Sequence, residues 1–143
     1  GAPDYDRGRV AGRIHTGTVD FAAVLTLPDA LKFHNEVGPA AKAARFSYLR
    51  DLWVKETRGL PGLQILTPDD PRLHAAITSI RMEGKTTPED NIALSKRLFE
   101  EFNIFTVHRV GVAAGACVRV TPSLYNSPDD VMALVKALRV ICG

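Results

Sequence analysis

Two helix-start signals divide the second half of this 143-residue chain and restrict what it can fold into. Thr87-Pro88-Glu89-Asp90 and Ser127-Pro128-Asp129-Asp130 each supply a hydroxyl cap, a proline at the first helical position and acids in the first turn. The proline lacks an N–H that would be unpaired there anyway, and the acids meet the positive end of the helix. Behind the first signal, Ile92, Leu98, Phe99 and Phe102 carry a helix to about Asn103. Behind the second, Val131, Leu134, Val135, Leu138 and Ile141 recur with the 3.6-residue period of one apolar helix face. The stretches ahead of the signals change period. LQILTP and HAAITSIRME, joined by the turn-forming PDDPR, read as short strands, and so do IFTVHRVGV and ACVRVTP.

From residue 63 the order is therefore strand, strand, helix, strand, strand, helix. Short strands joined by tight turns predict an α+β fold, a small antiparallel sheet with helices packed on one face. The two helix starts share only their capping chemistry, so no internal repeat is expected. Two helical stretches come first. Asp20 caps one in which Phe21, Val24 and Leu25 share a face, Pro28 interrupts and restarts it, and Gly38 stops it. The next, PAAKAARFSYLRDLWVKETRG, shows a stripe of Ala41, Ala44, Tyr48, Leu49, Leu52 and Trp53, with Lys42, Arg45 and Arg50 expected mainly elsewhere, and Gly59 ends it. The expected organisation is a flexible segment at 1–16, helices at 17–60 and the α+β unit at 61–143.

Bulk properties remove several function classes. The charge balance of 18 basic and 16 acidic residues gives +2, too even for a general nucleic-acid surface. No apolar run approaches the roughly 18 residues of a membrane span, and no secretory signal is visible, so a cytoplasmic setting is expected. Cys117 and Cys142 form no CxxC pair, and His15, His34, His74 and His108 never fall three or four residues apart, so neither a disulfide framework nor a metal site is expected. Ser123 has no visible His/Asp partners, and no phosphate-binding glycine fingerprint is present.

Two places can carry chemistry. Strand alternation sends Val118 and Val120 one way and Cys117, Arg119 and Thr121 the other. A guanidinium there can hold a carboxylate through two parallel hydrogen bonds, although periodicity alone fits a solvated arginine better. Gly17-Thr18 stands ahead of a helix, with Arg13 and His15 nearby. A close backbone approach, a hydroxyl and helix-start N–H groups suit a phosphate, and they also describe an ordinary helix entry. His108-Arg109 lies on an expected strand, facing either a site or solvent.

The stretches TGTVDFAAVLTLPDALKFHNEVG at 16–38 and VRVTPSLYNSPDDVMALVKAL at 118–138 resemble, in order and spacing, the C-terminal part of class V aminotransferase-fold enzymes. Within that family the resemblance is to isopenicillin N epimerase-like proteins, with cysteine desulfurases as relatives, and it spans about residues 13–140. It implies pyridoxal 5′-phosphate as cofactor, an amino-acid substrate and a homodimer. Arg119 then matches the arginine that holds the substrate's α-carboxylate. Gly17 and Thr18 match the dipeptide that reaches the cofactor phosphate across the dimer interface. Tyr125 and Asn126 match a Tyr-Asn pair that positions strand against helix.

One departure sets the functional expectation. The family's Schiff-base lysine lies in a large domain upstream of Gly-Thr, and Lys32, Lys42, Lys55, Lys85, Lys96 and Lys136 all fall downstream in no matching context. A pyridoxal enzyme needs its electron sink held and tuned. The chain is thus expected to be the substrate-carboxylate-binding portion of a longer enzyme of epimerase, lyase or aminotransferase type, with the end of the large domain and linking helices at 17–60 and the small α+β domain at 61–143. By itself it would supply no catalytic residue and be inert. The alternative is a non-enzymatic α+β module that binds a small carboxylate or a protein partner.

Overall fold

The computed structural model describes residues 20–111 and 113–143, together with Gly8, Val10 and Thr18. The chain forms two compact units, Gly1–Gly38 and Pro39–Gly143. In the first, α1 (Phe21–Leu25) and α2 (Leu27–Val37) follow one another around Thr26. Asp20 caps α1 by accepting from the N–H groups of Ala22 and Ala23, and Gly38, at φ 83°, closes α2. No residue of either helix is buried, and Phe21, Leu25, Leu31 and Phe33 are all more than 60% exposed.

The second unit is α+β and takes in the long helix that precedes residue 61. α3 (Pro39–Thr57) leads into β1 (Leu63–Ile65) and β2 (Thr78–Met82). α4 (Pro88–Phe102), β3 (Val107–Arg109), β4 (Cys117–Val120) and α5 (Pro128–Cys142) follow. The sheet order is β1-β2-β4-β3, and every neighbouring pair is antiparallel. The two sequence signals perform as read. Thr87 accepts from the Asp90 N–H at 3.2 Å. Ser127 and Asp130 cap each other reciprocally, at 3.1 and 2.9 Å. Asn103, in the left-handed conformation at φ 56°, terminates α4.

The core lies between one sheet face and the three helices. Ile80, Val118 and Val120 of the sheet meet Leu94 and Leu98 of α4, Val131, Leu134, Val135 and Leu138 of α5, and Leu49 and Trp53 of α3. Full burial of each such side chain contributes about 1.5–3 kcal/mol against exposure. Asn91, 1% exposed, ties the β2–α4 turn to α4 by donating to the carbonyls of Lys85 and Thr87.

The long helix departs from the expected stripe. Its buried residues are Lys42, Leu49, Arg50, Trp53, Val54 and Thr57, whereas Ala41, Ala44 and Tyr48 are exposed. The buried face is turned by roughly 100°, one residue's rotation. Long basic side chains can bury their stems and keep their heads paired. The Arg50 guanidinium does this, meeting Asp51 at 2.7 Å and Asp69 at 3.6 Å.

Candidate functional site

β4 runs through the middle of the sheet, so its two faces have opposite fates. Val118 and Val120 enter the core, and Arg119 stands on the far face as its alternation requires. Ser79 of β2 and Val107 of β3 are the direct cross-strand neighbours of Arg119. One row along, Arg109 opposes Cys117, and continuing the β2–β4 register sets Arg81 on the other side of Cys117. Three arginines from three adjacent strands therefore share one sheet face. The same register sends His108 toward the core, opposite Val118.

None of the three is neutralised. Among the described residues no carboxylate forms an ion pair with Arg81, Arg109 or Arg119. Arg81 donates to Gln64 Oε1 at 2.8 Å and to the Ala114 carbonyl. Arg109 donates to the carbonyl of its own neighbour His108 at 3.0 Å. Arg119 is half-buried, and its Nε lies out of solvent with no hydrogen-bond partner. A buried donor without an acceptor is costly, and among the described residues the Arg119 Nε–H is such a donor.

A cavity of about 410 Å³ opens on the same face. Ser79 and Cys117 line it from the sheet, and Leu66, Thr67, Leu73 and His74 line it from the β1–β2 loop. The loop is fastened where Thr67 Oγ1 accepts from the Ser79 N–H at 2.9 Å. His74 Nδ1 is a second buried polar atom without a partner. A larger cavity, about 530 Å³, lies elsewhere, between the end of α4, the segment after β4 and α5. Asn126 and Asp130 in its lining are engaged in the α5 cap, the Thr106 hydroxyl that also lines it is buried without a partner, and no cationic side chain lines it.

The Tyr-Asn pair divides its roles. Tyr125 is 89% exposed. Asn126 is a junction: its side chain accepts from the Ser123 N–H at 2.7 Å and donates to Asp130 at 3.2 Å. Its carbonyl accepts from Arg45 of α3 at 2.8 Å. The segment between Arg119's strand and α5 is thereby pinned to two helices. The Ser127 N–H and the Asn126 amide hold the Asp130 carboxyl below the usual carboxylate range. Burial pushes the Cys142 thiol up, far from Arg119 in sequence.

Of the expected cofactor contacts, Gly17 lies outside the described residues, as do Arg13 and His15. Thr18 is described and exposed, in the first unit. Asp20 takes the Ala22 and Ala23 N–H groups at the start of α1. No strand of the sheet carries a lysine. Lys85 and Lys96 are paired with Asp90 and Glu100 at 3.2 and 3.7 Å. Among the described residues, the sheet strands thus offer arginines on this face and no amine for a Schiff base. Arg81 and Arg109 were missed as partners of Arg119 because their adjacency depends on strand pairing, which no local pattern encodes.

No family model matches the chain. It is similar to isopenicillin N epimerase of Streptomyces clavuligerus, 30% identical over 130 residues, covering 89% of this chain and 31% of that protein. It is likewise similar to isopenicillin N epimerase of Amycolatopsis lactamdurans, 29% identical over 123 residues, covering 86% of this chain and 30% of that protein. The chain thus spans about a third of the length of the curated relatives it matches. Its structure superposes on a cysteine desulfurase of Thermococcus onnurineus with a TM-score of 0.72 at 16% identity, covering 92% of this chain and 33% of that one. The fold is that of the C-terminal part of class V aminotransferase-fold enzymes, within pyridoxal-phosphate fold type I.

Proposed function

We propose that this chain is the substrate-carboxylate-binding portion of a pyridoxal-phosphate-dependent enzyme that acts on an amino acid or amino-acid derivative. The observation that carries the reading is the half-buried Arg119, whose Nε has no partner, on a sheet face bearing no described carboxylate. The similarity to epimerases over most of the chain supports it.

In this reading Arg119 grips the α-carboxylate with two parallel hydrogen bonds and so fixes the orientation of the amino acid. The cofactor, when bound, supplies the electron sink that eases bond breaking at the α-carbon. Thr18, with Gly17, contacts the cofactor phosphate. The lysine that anchors the cofactor belongs to an upstream large domain, and the parent is a cytoplasmic homodimer. The exposed Phe21, Leu25, Leu31 and Phe33 then face that large domain. Epimerase, lyase and aminotransferase chemistry all require such a carboxylate anchor.

The test is Arg119→Lys in the longer parent. A point charge replaces a planar fork, removing about 1.5–3 kcal/mol of charge-assisted bonding. Amino-acid affinity should fall about 10- to 100-fold, with cofactor affinity changed by less than about two-fold. Undiminished amino-acid affinity removes Arg119 from the site and favours a binding module without that chemistry.

A further inference from the structure

Resting on that reading, we infer that the cavity under the β1–β2 loop receives the side chain of the amino acid, and that this side chain is bulky and apolar. The cavity begins one side chain away from Arg119. Ser79, which lines it, is the direct cross-strand neighbour of Arg119, and such pairs hold their Cβ atoms about 4.5–5.5 Å apart. Cys117, also in the lining, lies two residues before Arg119 on the same strand face, about 7 Å along the strand. Arg119 itself does not line the cavity, and neither does any other carboxylate, ammonium or guanidinium group. A ligand gripped by its carboxylate at Arg119 therefore keeps that charge outside and offers the cavity only its uncharged part.

The loop that forms the cavity is held by polar bonds, not by the core. At its base the Leu66 N–H donates to the Ser79 carbonyl at 2.8 Å, and the Ser79 N–H donates to Thr67 at 2.9 Å. Asp69 pairs with Arg50 of α3 and with Arg58 just beyond that helix. At the tip the Leu73 N–H donates to the Asp70 carbonyl at 2.8 Å. Leu66, Leu73 and Ile77 stay out of the core cluster and line the cavity instead, Leu73 and Ile77 at 65% and 47% exposure. The volume of about 410 Å³ falls within the roughly 300–1,000 Å³ of small-ligand pockets. A methyl side chain would leave most of it empty, whereas a branched aliphatic or aromatic one would cover the exposed leucine and isoleucine. His74 Nδ1 is already out of solvent, so an apolar occupant takes no water from it.

The experiment titrates the 143-residue chain, carrying ¹⁵N and ¹³C-methyl labels, with acetate and with 4-methylpentanoate and follows it by NMR. Both probes carry one carboxylate and need no cofactor. Each buried methylene is worth about four-fold in affinity. Burial of most of the added carbons should make 4-methylpentanoate bind about 30- to 100-fold more tightly than acetate. Acetate should shift the Arg119 Nε–Hε signal alone, and 4-methylpentanoate should shift it together with the Leu73 and Ile77 methyls. Ala75→Trp, at an exposed position of the lining, fills the cavity. It should bring 4-methylpentanoate to the acetate level and change acetate affinity by less than about two-fold. Val140→Trp, at an exposed position of α5, should change neither. Each variant is checked by its amide spectrum. Ile77→Ser removes an apolar wall and replaces any Ala75→Trp protein that fails to fold, and it should cut the preference for the longer acid at least about three-fold.

Four results overturn the inference: a preference below about three-fold, unmoved Leu73 and Ile77 methyls, a preference kept in the cavity variant, or an equal loss in Val140→Trp. A preference seen in this chain and absent from the longer parent overturns it too, since the parent's own residues then fill the cavity. Arg119→Gln separates the two levels. Unchanged acetate binding in that variant removes the carboxylate reading and this inference with it. Acetate binding lost there, with no preference for the longer acid in the unsubstituted chain, leaves the reading standing and removes only the cavity's role.

Discussion

Asn126→Ala tests how the strand bearing Arg119 is fastened to the helices. The substitution removes the acceptor of the partly buried Ser123 N–H, 2.7 Å away, and the donor to Asp130, 3.2 Å away. Leaving a buried donor unpaired costs about 1–3 kcal/mol, and water can partly replace the acceptor at this half-buried site. The bond to Asp130 is exposed and adds little. The expected loss is about 1–2 kcal/mol. The Arg45 bond goes to the Asn126 main-chain carbonyl and survives. Trp53, the sole tryptophan and 0% exposed, reports unfolding of the core by fluorescence in a urea titration. Tyr125→Ala, at the neighbouring residue with 89% exposure, should stay within about 0.5 kcal/mol of the parent chain. Asn126→Asp refines the test, since its carboxylate still accepts from Ser123 but faces Asp130. It should be destabilised at neutral pH and recover as the pH falls below about 4. An Asn126→Ala protein as stable as the parent, or no more affected than Tyr125→Ala, would refute the junction.

Two further outcomes follow from the same coordinates. Gly115→Ala places a Cβ 2.8 Å from the Thr86 Cβ at a φ of +98°, so urea unfolding should show a loss of about 1–3 kcal/mol. The Asp130 carboxyl is held low by the Ser127 N–H and then by Asn126, so its folded value lies below its unfolded one. Its contribution is therefore present above the ordinary aspartate value and is lost as pH falls through the lowered one. The stability gap between the parent chain and Asp130→Asn should be full near neutrality and narrow below about pH 4.

What the sequence disclosed and what it withheld follow the range of the interactions involved. Caps depend on residues three apart, so Thr87/Asp90 and Ser127/Asp130 could be read directly and both formed. The order of strands and helices was legible because turn residues and changes of period separate them. That Arg119 lies opposite Val118 and Val120 was legible from alternation, and the structure places those valines in the core. Its neighbours were not. Arg81 and Arg109 become adjacent through pairings 38 and 10 residues away from Arg119 in the chain, and a one-residue slip would send each to the core. The buried face of α3 was misread for a different reason. Lys42 and Arg50 lie on it, and residue type does not reveal which basic side chains lay their stems against a core. Strand length was overestimated at HAAITSIRME, where residues before Thr78 form the cavity-lining loop instead.

The most direct measurement is a structure of the longer parent protein with its amino-acid ligand bound. The account predicts both oxygens of the ligand's α-carboxylate about 2.8 Å from the Arg119 guanidinium, with Nε among the donors. An α-carboxylate held elsewhere, with Arg119 paired to a carboxylate of the protein, would contradict it.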